Sequence, residues 1–198
     1  MTTTRKFICL ENAFDLSAGS AARICKYAEN YLAAYPALVA LANCQSMNAA
    51  HHQTVLLLAT YGWMPTVPKS MVDVLFAERV RAMQSLDEAM TFIDDLSSGL
   101  INNSWVGSSK VLHFLKPELF PIWDSRVAKA IGLSGNSHCM SSKPRYMDYV
   151  WEMNRSPKNT IEATSEIAER VETAFGYKPT PLRCLELDLF CKPKIAER

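Results

Sequence analysis

Lys110, His113, Trp123 and Asp124 fall within one short stretch, residues 107–132 (GSSKVLHFLKPELFPIWDSRVAKAIG). A lysine whose pKa is lowered in a pocket can act as an amine nucleophile on an aldehydic sugar carbon. A fixed aspartate can face a developing cation and orient or deprotonate a water. A tryptophan beside it can form one wall of a pocket. Each residue also has a plainer role: a solvated helical lysine, a histidine at the edge of a core, and an aspartate capping the helix that begins SRVAKAI. For Asp124 the two roles are compatible, because a helix N-terminus favours a negative charge.

Helices must position these side chains. The stretch reads as a helix, a tight bend and a second helix opened by Asp124, with Val111, Leu112, Phe114 and Leu115 needing a core. Upstream, Ser20 is expected to cap a helix to about residue 34, and Pro36 to separate it from a continuation over 37–42. Ser46 would cap a helix over 47–61 whose Val55, Leu56, Leu57 and Leu58 make it a central core element. The sequence YGWMP at 61–65 ends it through glycine and proline. There Tyr61 and Trp63 serve either as edge-of-core packing or as a wall for a stacked base.

Ser70 caps a predicted helix to about Met83. Ser85 and Glu88 fit a capping box for a helix with Leu86, Met90, Ile93 and Leu96 on one face. Asn102, Asn103 and Ser104 form a turn. Residues 133–142, containing His138 and Cys139, read as an exposed loop. Ser142 with Pro144 opens a helix to about Met153, Asn159 with Glu162 one to about Phe175, and Thr180 with Pro181 a last one through Phe190. Period-2 runs are absent and glycine is scarce, so the expected class is all-α, with eight or nine helices over residues 1–198 in one compact unit or two closely packed lobes.

The chain has 198 residues, 48% of them apolar, and a formal net charge of +1. The total gives no strong bias toward nucleic acid, but the distribution is uneven. Residues 101–160 carry eight Lys or Arg against four Asp or Glu, and residues 161–175 carry four glutamates against one arginine. No apolar run approaches the roughly 18 residues of a membrane helix, and residues 7–10 are too short for a signal-peptide core. The six scattered cysteines, with no Cys-x-x-Cys, are expected to be free thiols in the cytoplasm. No His/Cys spacing suits zinc, and no glycine-rich phosphate loop, G-x-S-x-G or H-E-x-x-H is present.

Gly107-Ser-Ser-Lys110, then Phe120-Pro121-Ile122-Trp123-Asp124-Ser125-Arg126-Val127 and a helix ending Ile131-Gly132, resemble the helix-hairpin-helix DNA glycosylases, in particular their 8-oxoguanine glycosylase branch. The motif likeness covers residues 107–132. It implies a compact two-lobed helical glycosylase fold, a single unit over residues 1–198, and hydrolysis of the N-glycosidic bond of a flipped-out base in double-stranded DNA. Asp124 would stabilise the oxocarbenium charge, with Lys110 the second catalytic candidate. Trp123, Tyr61, Trp63, Trp105 and His113 would surround the base. Backbone N–H groups near Gly107 and Ser109 would grip a phosphate, and Arg126, Lys129, Lys143 and Arg145 would add contacts. The hairpin carries Gly107 alone and the Lys110–Asp124 interval is shorter than the family's, which favours a monofunctional enzyme. Only Cys184 and Cys191 lie where some members hold an iron–sulfur cluster, so no metal or cofactor is expected. A monomer off the membrane is implied. The base stays open between an oxidised purine and a hypermodified cytosine, such as the glucosylated hydroxymethylcytosine attacked by anti-phage glycosylases. A non-catalytic helical DNA-binding module is the alternative.

Overall fold

The computed structural model describes residues 8, 10, 13–17, 19–43, 74–97, 100 and 104–192. Among these residues the fold is all-α. It comprises α1 (Ser20–Tyr27), α2 (Glu29–Ala42), α3 (Val74–Ala82), α4 (Leu86–Asp95), α5 (Trp105–Leu115), α6 (Ser125–Ala130), α7 (Ser137–Met140), α8 (Lys143–Asn154), α9 (Lys158–Glu162), α10 (Ser165–Phe175) and α11 (Pro181–Phe190). The helix expected over 47–61, the aromatic loop at 61–65 and the cap at Ser70 lie outside the described residues.

Several starts follow local chemistry. Ser85 accepts the Glu88 N–H while the Glu88 carboxylate accepts the Ser85 N–H, so the expected capping box is present. Ser104 accepts from the Val106 N–H and opens α5. Thr180 accepts from the Arg183 N–H and opens α11, with Pro181 in its first turn. Pro144 likewise sits in the first turn of α8 behind Ser142, although the Ser142 hydroxyl makes no cap bond.

Eleven helices stand among the described residues, against eight or nine expected for the chain, and packing overrides local rules at four places. Pro36 does not divide two helices; it lies inside α2, and the break falls at Ala28. Ala28 and Leu32 are fully buried and Tyr35 nearly so, and that burial holds α2 together through the bond Pro36 cannot make. Ser20 is the first residue of α1 and is buried, so Gly19 takes the cap position. Residues 133–142 are not all loop: Asn136 caps the single turn of α7, whose Cys139 and Met140 enter the core. The expected helix over 159–175 is interrupted between α9 and α10, where the buried Thr164 donates its hydroxyl to the Ile161 carbonyl.

Two hydrophobic clusters fill the interior. The larger joins α2 to α8 and α11 and includes Trp105, Val111, Leu112, Phe114, Phe120, Trp123, Tyr146 and Tyr149. The smaller joins α1, the start of α2, α10 and α11 through Ile24, Leu32, Ile167, Val171, Cys184 and Leu187. α11 belongs to both, with Leu182, Leu185 and Leu189 in one and Cys184 and Leu187 in the other. Cys25, Cys139, Cys184 and Cys191 are free thiols; burial raises the Cys184 thiol to about 12 and the Cys191 thiol to about 11.

Candidate functional site

Asp124 caps α6. Its Oδ1 accepts the N–H groups of Arg126 (2.8 Å) and Val127 (2.9 Å). Both bonds end on one oxygen, which leaves Oδ2 able to face a reacting atom. The residue is half-buried. Lys110, on α5, is also half-buried; desolvation lowers the pKa of its amine, while the carboxylates of Asp124 and Glu186 pull it back up. The fold therefore brings the two sequence-selected residues within electrostatic reach of each other, with Glu186 as a third charge.

The segment from Leu119 to Trp123 is held from behind, residue by residue. Asn154 donates to the Leu119 carbonyl (2.9 Å). His113 Nδ1 donates to the Phe120 carbonyl (2.7 Å) and Tyr146 to the Pro121 carbonyl (3.4 Å). The Ile122 N–H donates to Glu186 Oε2 (3.1 Å), and the Trp123 N–H to Ser109 Oγ (2.9 Å). The clamp comes from α5, α8 and α11. It presets the backbone that delivers Asp124, the preorganisation that electrostatic catalysis requires.

Several expected site residues have other work. His113 is fully buried and is not a base contact: Nδ1 donates to Phe120, and Nε2 accepts from the Tyr35 hydroxyl (2.8 Å). Burial and the nearby Arg183 charge hold its pKa down at about 3. Its 3.8 Å separation from Glu186 is therefore a contact with a neutral ring, not an ion pair. Trp105 stacks on Tyr146 (centroids 5.3 Å) and Trp123 tilts against Tyr149 (5.0 Å); both tryptophans are buried and neither offers a face to solvent.

Gly107 and Ser109 are also buried, inside α5 rather than in a hairpin turn. The Ser109 hydroxyl is spent on Trp123 and on the Val106 carbonyl. Lys143 closes the end of α4, donating to the carbonyls of Asp94 (2.7 Å) and Leu96 (3.0 Å). Arg126 and Lys129 are exposed and Arg145 is half-buried. Tyr61 and Trp63 lie outside the described residues.

Sequence reasoning missed Glu186 and Arg183. They form a buried pair three residues apart on α11, and the Arg183 guanidinium also sits 4.8 Å from the Tyr35 ring centre. Desolvation raises the Glu186 pKa to about 7, against the opposing pull of Arg183, the Ile122 N–H and Lys110. Three charged residues inside the otherwise apolar run LRCLELDLF, Arg183, Glu186 and Asp188, were the visible signal. Trp123 Nε1 and Tyr149 Oη are buried with no hydrogen-bond partner, and Tyr149 lies in the field of both Glu186 and Asp124.

Among the described residues no group of three or more His, Cys, Asp or Glu could hold a metal ion, and no helix is long and apolar enough to cross a membrane. Comparison with protein-family models, with curated proteins and with solved structures returns no match.

Proposed function

We propose that the chain is a monofunctional DNA N-glycosylase of the helix-hairpin-helix type, acting as a monomer on double-stranded DNA with a modified or damaged base. The observation that carries the reading is Asp124: a carboxylate fixed through one oxygen at a helix start, on a clamped backbone, beside a partly dehydrated lysine. Departure of a base builds positive charge on the deoxyribose. The Asp124 carboxylate offsets that charge and orients the attacking water. The Lys110 ammonium, in the field of Asp124 and Glu186, balances their negative charge and contacts the DNA backbone. Arg126 and Lys129 supply exposed cations beside the site. Both a hypermodified cytosine of phage DNA and an oxidised purine are compatible substrates.

The test is incubation with duplexes containing oxidised or hypermodified bases, scored for free base and abasic sites. Asp124→Asn keeps a capping residue and removes the charge. It should lower base release by about 100-fold or more while leaving the fold intact. Unchanged release in that variant rejects the assignment. DNA binding with no base released from any substrate leaves a binding module. Borohydride trapping of a Lys110-dependent adduct would make the enzyme bifunctional.

A further inference from the structure

Tyr35, His113, Arg183 and Glu186 come from three helices, α2, α5 and α11, and meet in the interior, none of them more than 5% exposed. Their contacts close into a ring. The Tyr35 hydroxyl lies 2.8 Å from His113 Nε2. His113 Nδ1 lies 3.8 Å from Glu186 Oε2. Glu186 pairs with Arg183, and the Arg183 guanidinium returns to the Tyr35 ring at 4.8 Å from its centre. Two members also reach out of the ring, both to one short run of backbone. His113 Nδ1 donates to the Phe120 carbonyl (2.7 Å), and Glu186 Oε2 accepts the Ile122 N–H (3.1 Å). Asp124 follows Ile122 by two residues.

One arrangement of protons satisfies this ring. A carbonyl oxygen can only accept, so the bond to Phe120 requires a proton on Nδ1. A second proton on Nε2 would place a charge in a fully buried imidazole near the Arg183 guanidinium, and burial together with that charge holds the His113 pKa at about 3. Nε2 is therefore an acceptor, and the Tyr35 hydroxyl is its donor. Burial pushes the pKa of that hydroxyl well up, so its proton stays in place. Without the hydroxyl, Nε2 is a buried acceptor stripped of its bond. A turn of the imidazole that relieves it takes the Nδ1–H away from the Phe120 carbonyl. We propose that Tyr35 is a positioning residue for Asp124: its hydroxyl completes the one proton arrangement in which His113 holds the Phe120 carbonyl, while Arg183 steadies the Glu186 carboxylate on the Ile122 N–H. The proposal rests on the glycosylase reading for what the Asp124 carboxylate then does. The positioning itself is measurable on the chain alone.

The experiment compares the full chain with Tyr35→Phe, which deletes one oxygen and keeps the ring beside Arg183. Hydrogen exchange read by NMR reports the backbone. The N–H groups of Ile122, Arg126 and Val127 should exchange about 5- to 100-fold faster in the variant, while the Ala89 N–H in α4, an element that gives nothing to the ring, keeps its rate. Imidazole nitrogen shifts of the wild type should show His113 protonated on Nδ1 alone from about pH 5 to 8. On duplexes with modified bases, single-turnover base release should fall by about 10- to 100-fold with duplex affinity unchanged. A loss of stability alone would leave the rate per folded molecule intact. Unchanged exchange at the three amides, or His113 protonated on Nε2 instead, overturns the proposal. So does faster exchange with normal base release in Tyr35→Phe, where Asp124→Asn abolishes release. Loss of release in Asp124→Asn with unchanged exchange in Tyr35→Phe keeps the glycosylase reading and removes Tyr35 from it. Faster exchange in a chain that releases no base keeps the positioning of Asp124 and removes the glycosylase reading.

Discussion

At the scale of single residues, Asp124 joins a local role to a chemical one, and substitution separates them. Asp124→Ala removes the acceptor for two N–H groups and should cost about 0.5–2 kcal/mol of stability in urea unfolding; Asp124→Asn should cost far less. A second residue-scale effect belongs to Glu186 and His113. Glu186 is faced by Arg183 on its own helix, Lys110 and His113 on α5, Asp124 before α6, Tyr146 and Tyr149 on α8, and Tyr35 on α2. Its carboxyl is raised from 4.5 to about 7. Between those values the folded chain holds a proton that the unfolded chain has lost, so this group's contribution to stability falls as pH rises. His113 is lowered from 6.5 to about 3, so its contribution falls as pH drops through that interval. From pH 4.5 to 6.5 the two slopes oppose each other. Glu186→Gln removes the first alone. The variant should therefore gain on the wild type as pH rises from 4.5 to 7, by on the order of 1 kcal/mol per pH unit. Urea midpoints across that interval measure the gap, and a gap independent of pH would show that Glu186 titrates normally.

At the scale of elements, what the sequence made legible was local and what it hid was long-range. The Ser85–Glu88 box, the Thr180 cap and the Asp124 cap each join atoms two or three residues apart, so residue type and spacing carry them. Lys110 and Asp124 could be singled out together because both belong to one helix–bend–helix stretch, and the structure puts Lys110 in the field of Asp124. The clamp was not: Ile122 and Glu186 are 64 residues apart, Leu119 and Asn154 are 35 apart, and no periodicity marks either contact. The Pro36 error has the same origin, a local rule overruled by the burial of Leu32 and Tyr35. Ser109 shows what is at stake. The resemblance implies a phosphate grip by backbone N–H groups near Ser109; the structure places Ser109 inside α5, its hydroxyl accepting the Trp123 N–H. Ser109→Ala leaves a buried donor unpaired and should cost about 1–3 kcal/mol. A melting measurement decides: lower stability supports the clamp, whereas unchanged stability rejects it.

At the scale of the whole molecule, the two hydrophobic clusters are joined through α11, and a charged contact fastens that helix to α1. Arg23 on α1 donates to Asp188 Oδ1 (2.7 Å) and Asp15 Oδ2 (2.8 Å), and the Asp15 N–H donates to Asp188 Oδ2 (2.8 Å). Asp188 is fully buried, and desolvation raises its pKa despite Asp15, Arg23 and Lys192. The same helix carries the Glu186 that holds Ile122, so the seating of α11 reaches the backbone leading to Asp124. Arg23→Leu removes the principal cation and leaves a buried carboxylate facing one N–H. The expected loss is about 3 kcal/mol near neutral pH. A raised carboxyl pKa weakens the fold as pH climbs through it and has no effect where both states are protonated. Without Arg23 the Asp188 pKa rises further, so the loss should shrink steadily on acidification as that carboxyl takes up its proton. Urea unfolding of both proteins from neutral to acid pH tests this. A loss that stays constant with pH would mean that Arg23 acts through packing of its aliphatic stem, and a loss below about 1 kcal/mol would place the pair among weakly contributing surface contacts.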